Sequence, residues 1–120
     1  MLAVLAAVQT LRATDFTISQ ASATINATLS FTTNGTSSTV YAEVAKSHTF
    51  HILAAASSTN SVILDRSLNN SAWIPFSTNS YSASGGTNEV TAAGHWTYFR
   101  ARVIGATTNI STIVLYLGGN

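Results

Sequence analysis

The sequence has no cysteine, so no disulfide holds it together and the redox compartment cannot be read from it. Charge is scarce as well. Only 8% of residues are Asp, Glu, Lys or Arg, against roughly 25% in an ordinary protein. Net charge is +1. The five basic residues stand singly, and without a basic stripe the electrostatic footprint of a nucleic-acid binder is missing. The longest apolar run is far too short to span a bilayer, so no membrane partner is expected. Proline occurs once, at Pro75. No Gly-x-Ser-x-Gly elbow and no phosphate-cradling glycine loop is present. No internal repeat can be aligned, which excludes a propeller or a solenoid.

What fills the chain is hydroxyl and apolar side chains. Ser (16) and Thr (18) make up 34 of 120 residues, and 46% of the chain is hydrophobic. That is ample material for a core, so the chain is not a disordered tail. A length of 120 residues suits one domain. Few charges also mean weak repulsion between copies, which suits a packed assembly.

Alternation at period two marks the strands. Ala23, Ile25, Ala27, Leu29 and Phe31 fall on one face, with Thr24, Asn26, Thr28 and Ser30 on the other. Phe16 and Ile18 mark an earlier strand. Asn34-Gly35 follows Phe31 and is the dipeptide of a tight hairpin, with Val40, Ala42 and Val44 returning inward and Tyr41 and Glu43 outward. Phe50, Ile52 and Ala54 alternate next, and Val62 and Leu64 oppose Ile63 and Asp65. Pro75 interrupts a short strand of Trp73, Ile74 and Phe76, which places that strand at an edge or a bulge. Residues 77–87 read as the longest loop, and Val90 opens a short segment after it.

The clearest stretch is Trp96 to Leu117. Phe99, Ala101 and Val103 oppose Tyr98, Arg100 and Arg102, and Val114 and Tyr116 oppose Ile113, Leu115 and Leu117. With a short polar break between the two runs, an antiparallel hairpin is expected. Its core face is read as Phe99, Ala101, Val103, Leu115 and Leu117. These signals predict an all-β fold of about eight strands, an antiparallel sandwich or jelly-roll-like barrel, over residues 13–120.

Residues 1–12 are different. Leu2, Val4, Leu5, Val8 and Leu11 have helical spacing, yet the run could equally lie extended. No polar face balances it, so it asks for a partner surface. It lacks the basic n-region of a signal peptide, and secretion through it is not expected. We read it as an N-terminal arm for assembly, with Met1, Leu2, Val4, Leu5, Val8 and Leu11 as its contact residues. A first strand or helix of the fold itself is the alternative.

Enzymatic constellations are weak. His48 and His51 are three apart, so on a strand they face opposite ways and cannot share a metal. His95 stands alone, and each histidine reads as a surface or turn residue. Asp15, Glu43, Asp65 and Glu89 lie in separate segments with no paired spacing. Asp65-Arg66 and Arg100/Arg102 read as surface ion pairs or interface contacts. Tyr98, Arg100 and Arg102 share a strand face, which reads either as the plain outward face of a core strand or as a surface contact for a partner or a sugar. No acid, histidine or nucleophile is expected beside them. No cofactor or metal is expected. The Asn-x-Ser/Thr sites at Asn26, Asn34, Asn69 and Asn109 are no more than chance gives in such a composition.

Several runs together carry a resemblance. They are His-Thr-Phe-His-Ile-Leu (48–53), Ser-Val-Ile-Leu-Asp-Arg-Ser (61–67), Asn-Asn-Ser-Ala-Trp-Ile-Pro-Phe (69–76), Trp-Thr-Tyr-Phe-Arg-Ala-Arg-Val (96–103) and Ser-Thr-Ile-Val-Leu-Tyr-Leu-Gly (111–118). The pattern resembles small β-sandwich virion proteins of tailed bacteriophages. In those a Ser-rich turn precedes a tryptophan strand, an aromatic-x-Arg strand and a valine-rich last strand closing near glycine. This chain has Asn-Asn-Ser-Ala before Trp73, where the common form has Ser-Asp-Gly or Asn-Gly. The resemblance covers residues 48–118. It implies a non-enzymatic structural role at the virion surface, as a capsid decoration (cement) protein. The implied partners are the major capsid protein and further copies of the chain, with a trimer preferred on symmetry grounds. The alternative is a carbohydrate-binding or adhesin domain of a neck, tail or fibre, stacking sugars on Trp73, Trp96, Tyr98 and Tyr81.

Overall fold

A computed structural model describes residues 25–43 and 45–119. The arm (residues 1–12), the strand expected at Phe16 and Ile18, and Val44 lie outside the described residues. Nine strands and no helix occur among those described. They are β1 (Ile25–Phe31), β2 (Gly35–Thr36), β3 (Val40–Tyr41), β4 (Ser47–Ala54), β5 (Asn60–Ser67), β6 (Ile74–Tyr81), β7 (Gly86–Ala93), β8 (Tyr98–Ile104) and β9 (Thr112–Gly119).

The strands form two antiparallel sheets. Sheet A has the order β1-β9-β4-β7, and sheet B the order β2-β8-β5-β6, with β3 also pairing β8. Because β2 and β3 both lie along β8, they act as one interrupted strand. Two four-stranded layers result, and the chain changes layer at every connection except β2–β3 and β5–β6. This is the double-sheet jelly roll, one way for antiparallel strands to form two stacked layers.

That topology overturns two expected hairpins. β8 and β9 do not pair; β8 lies between β5 and the β2/β3 strand, and β9 lies between β1 and β4. Asn34-Gly35 is likewise not a hairpin turn, since β1 pairs β9 while β2 pairs β8. The polar segments are sheet-crossing bridges instead. Asn34 clamps the β8–β9 bridge with both ends of its amide: Nδ2 donates to the Ala106 carbonyl (3.2 Å) and Oδ1 accepts from the Ala106 N–H (2.9 Å). Turn-forming residues serve a crossing as well as a hairpin, because both need local backbone hydrogen bonds. Among the described strands, the only consecutive pair that lie side by side as a hairpin is β5–β6.

The sheet-A layer buries alternate residues. Leu29 and Phe31 of β1, Phe50, Ile52 and Ala54 of β4, and Val114 and Tyr116 of β9 face inward. Sheet B meets them with Val40, Val62, Leu64, Phe99, Ala101 and Val103. Phe50, Phe76, Phe99 and Tyr116 form an aromatic cluster with centroid spacings of 5.0–5.8 Å, within the range where ring pairs add to area burial.

The parity of β9 is opposite to the expected one. Val114 and Tyr116 are core, while Leu115 and Leu117 point to solvent with 38% and 49% exposure. The run Ile-Val-Leu-Tyr-Leu is apolar on both faces, so alternation alone cannot choose which side is inward. The choice follows from what the inward row must fit. Gly118 lies under the Tyr116 ring, and a Cβ there would overlap the Tyr116 hydroxyl.

Pro75 sits where it was expected. β6 is an edge strand, and its register with β5 shifts between Leu64 and Asp65, opposite Pro75. Residues 77–87 are not a long loop. β6 runs through Tyr81 and β7 starts at Gly86, leaving four residues between them. Ser, Thr and Asn fill β6 because an edge strand can leave a polar row at its rim. Gly85 closes that turn at φ 74°, and a Cβ there would meet the Ala54 carbonyl oxygen at 2.5 Å.

Candidate interaction surfaces

Each sheet has an outer face, and the two are built differently. On sheet B the outward row of β8 is Tyr98, Arg100 and Arg102, as the alternation predicts. The three side chains are only partly exposed, because each has a partner within the fold. Asp65 of β5 stands opposite Arg100 in the ladder. Its carboxylate accepts from Arg100 Nε (2.9 Å), Arg102 Nε (2.6 Å) and Arg102 Nη2 (3.0 Å). Asp65 is 0% exposed although it lies on an outer face, since the arginines roof it over. Burial pushes its pKa up, but the hydrogen bonds and charges of Arg102 and Arg100 outweigh this and hold it below the ordinary carboxylate value. Asp65 in turn raises the pKa of Arg102.

An acid is therefore placed with the arginine row, contrary to the sequence reading. The ion pair was expected at the surface and is instead sealed on its acidic side. The missing signal was topological: β5 and β8 are neighbours in space and far apart in sequence.

Other side chains of that face are paired as well, while Tyr41 and Ile104 stay 55% and 47% exposed. The Arg100 guanidinium lies 4.3 Å from the Trp73 ring centroid. Trp73 is held there by the β5–β6 turn. Ser67 Oγ accepts from the N–H groups of Asn69 and Asn70, and Asn69 Oδ1 accepts from those of Ser71 and Ala72. The rings of Tyr98 and Tyr41 are 5.4 Å apart, and the Tyr41 hydroxyl donates to Glu43.

Trp96 sits apart from Trp73, packed against the core under Arg66, whose guanidinium is 4.2 Å from its ring centroid. Tyr81 is buried in the core at 9% exposure. Trp73, Trp96, Tyr98 and Tyr81 thus do not form one open aromatic platform.

His48 is not a surface residue; it is 1% exposed. Its Nδ1 is 2.7 Å from the Tyr116 hydroxyl and its Nε2 is 2.9 Å from the Gly94 carbonyl. A carbonyl only accepts, so Nε2 carries the proton and Nδ1 accepts from Tyr116. The pair ties the β7–β8 turn to β4 and β9. Burial lowers the His48 pKa, the Gly94 contact works the other way, and His95 adds to the lowering. Burial pushes Tyr116 up to about 12. His51 points outward, as the three-residue spacing requires, and Nε2 is 3.6 Å from Glu89 across the β4–β7 ladder.

On the outer face of sheet A, a row of apolar side chains is left uncovered among the described residues. Ile113, Leu115 and Leu117 run down the centre of the sheet on β9. They are flanked by Ser30, Thr28 and Asn26 on β1 and by Leu53, His51 and Thr49 on β4. Leu53, Leu115 and Leu117 are 37%, 38% and 49% exposed. Asn26, Thr28, Thr49, His51, Leu115 and Leu117 line an open depression of about 380 Å³. Among the described residues, its ionisable neighbours on the same face are His51 and Glu89. An apolar stripe framed by hydroxyls and amides is the composition of a contact surface.

Neither face holds a metal site: no group of three or more His, Asp or Glu side chains converges among the described residues.

No protein-family model and no curated protein matches the sequence. Solved structures do match. The chain is similar to the SPBc2 prophage-derived protein YomS, with 10% identity, 86% of this chain and 100% of that one covered, and a TM-score of 0.59. The fold is a jelly-roll β-sandwich shared with a prophage-derived protein. A structure of the Bacillus endospore appendages, described as disulfide-linked pili, matches with 10% identity over 80% of this chain and 85% of that one, at a TM-score of 0.51. A family 29 carbohydrate-binding module aligns at 9% identity over 79% and 89% of the two chains, at a TM-score of 0.38. At such identities the likeness is one of fold alone.

Proposed function

We propose that this chain is a structural protein of a tailed-bacteriophage virion, a non-enzymatic decoration protein bound to the outer surface of the head. The observation that carries this reading is the uncovered apolar stripe of Leu53, Leu115 and Leu117 on sheet A of a charge-poor jelly roll. Such a face serves adhesion to a protein surface and offers nothing to a reaction. The fold shared with a prophage-derived protein supports the phage setting. Two of the residues that could do chemistry are engaged in structure: Asp65 is held ionised under two arginines, and His48 is hydrogen-bonded at both nitrogens inside the core.

In this role the chain binds the major capsid protein where shell subunits meet, as a homo-oligomer, with residues 1–12 adding contact area. A stable interface buries on the order of 1,600 Å² in total. A small domain reaches that most readily with a face and an arm together.

Co-sedimentation with purified phage heads tests the reading. The full-length chain is expected to co-sediment with heads, and a chain lacking residues 1–12 to bind more weakly and lose its oligomer mass. Unchanged binding and mass would remove the arm from the model. Absence of the chain from purified particles by mass spectrometry would remove the virion reading itself. Glycan binding in place of head binding would move the chain to the adhesin alternative.

A further inference from the structure

We propose that the depression on the outer face of sheet A receives residues Met1–Leu11 of a second copy of this chain, so that copies are joined by exchange of arms. This rests on the assembly-arm reading above and names the arm's receptor.

The chemistry of the two surfaces matches. Residues 1–11 contain no Asp, Glu, Lys, Arg or His, and their only polar side chains are Gln9 and Thr10. The depression has Leu115 and Leu117 as its apolar floor. Asn26, Thr28, Thr49 and His51 rim it and supply hydrogen-bonding groups for a segment's backbone. The arm brings no charged side chain to this surface, so docking it desolvates no side-chain ion of its own, a large cost in burying a polar interface.

Chain length and entry point favour a neighbour's depression over the chain's own. Ile25 begins β1 opposite Gly118, so the chain enters at the end of the depression, and β1 itself forms one wall. A chain's own arm would have to reverse at that point and fold back past this wall. Residues 12–24 extend to at most about 43 Å at ~3.3 Å per residue. An eight-residue strand of the sheet spans only about 26 Å. The arm therefore has the length to clear its own sheet and reach another copy. Each copy donates one arm and offers one depression, a head-to-tail interface that closes when copies surround a symmetry axis.

The absence of native cysteine makes the test direct. Cysteine is placed in the arm of one preparation (Leu2→Cys, Leu5→Cys or Val8→Cys in turn) and in the depression of another (Leu117→Cys). The two are mixed without capsids and oxidised. A disulfide forms only where Cα atoms approach to about 4.4–6.8 Å. The expected result is a covalent dimer with one chain of each kind from at least one arm position. It should form about tenfold or more faster than with Ser61→Cys, on the outer face of sheet B, because docking raises the local thiol concentration. Leu115→Lys in the receptor chain is expected to bring the rate down to that of the Ser61→Cys control. No arm position exceeding the control would overturn the proposal. So would a chain carrying both cysteines that forms only an intrachain bridge. Capsids are absent from the experiment, so a failure of head binding leaves its outcome readable.

Discussion

The two outer faces of this sandwich come from the same kind of alternating strand, yet the centre of one is closed by its own side chains and the centre of the other is open. On sheet B, the outward row of β8 carries Arg100 and Arg102 between Tyr98 and Ile104, and β5 places Asp65 directly beneath the two arginines. On sheet A, the outward residues of β9 are Ile113, Leu115 and Leu117, and nothing among the described residues covers them. The closed face holds the fold together, whereas the open face is available for contact. Charge alone is a poor guide to function here: the arginine row that looks most like a binding site turns Arg100 Nε and Arg102 Nε and Nη2 inward to Asp65.

Removing Asp65 should have the largest effect on stability. Asp65→Ala leaves Arg100 and Arg102 without their acceptor on a buried carboxylate site. Breaking a buried pair costs about 3–5 kcal/mol, and because the arginines are a quarter to a third exposed, about 2–3 kcal/mol is expected. Urea unfolding measures it as a drop in midpoint. A drop under about 0.5 kcal/mol, the range of ordinary surface changes, would mean that sheet B's face is not structural.

Gly118→Ala comes next. The added Cβ overlaps the Tyr116 hydroxyl and also comes within 3.0 Å of the Ala45 Cβ. Tyr116 must move, and its hydrogen bond to His48 goes with it. Overpacking of this kind costs about 1–3 kcal/mol. Thermal unfolding followed by tyrosine absorbance reports it, and an unchanged melting temperature would show that Tyr116 repacks freely.

Acid exposes the same internal contacts in two steps. His48 has a folded pKa below its ordinary 6.5, so the unfolded chain binds its proton first. The stability this contributes is complete above pH 6.5 and is lost as pH falls through the lowered folded value. Asp65 has a folded pKa below 3.8, so its contribution is complete above that value and is lost as pH falls further. Asp65→Asn should flatten the lower limb only, and His48→Gln the upper limb only. Stability measured by urea titration at successive pH values would separate them.

The strands themselves were legible because alternation survives wherever one face is polar. β1, β4 and β8 show it, and their core residues were readable directly. Partner choice was not. In a jelly roll nearly every connection changes sheet, so neighbours in sequence are not neighbours in the ladder, and local turn chemistry at Asn34-Gly35 pointed to a hairpin that does not form. β9 was not readable in this way: it is apolar on both faces, and its inward side goes with Gly118, which gives room on the same row beside Tyr116, and with His48 on β4. The same ambiguity concealed the open face, since Leu115 and Leu117 were assigned to the core. Apolar residues on both sides of a central strand are expected when both sides are to be covered, one by the fold and one by a partner.

That last inference gives the smallest effect on stability and the sharpest test of the comparison. Leu117→Thr keeps a β-compatible side chain on the outward row of β9 and removes apolar surface that is already half in water. The isolated protein should change by no more than about 0.5 kcal/mol. Association should respond far more, because the proposed interface buries the same leucine. Full burial of a leucine is worth about 1.5–3 kcal/mol, which at the interface corresponds to roughly a ten- to hundredfold loss of affinity. Arg100→Lys on sheet B should do the reverse, weakening the fold through its contacts with Asp65 and Trp73 while leaving association unchanged. Sedimentation velocity paired with urea unfolding reads both quantities on each variant. If Leu117→Thr weakened the fold and spared association, the open face would belong to the fold, and the division between the two sheets would not hold.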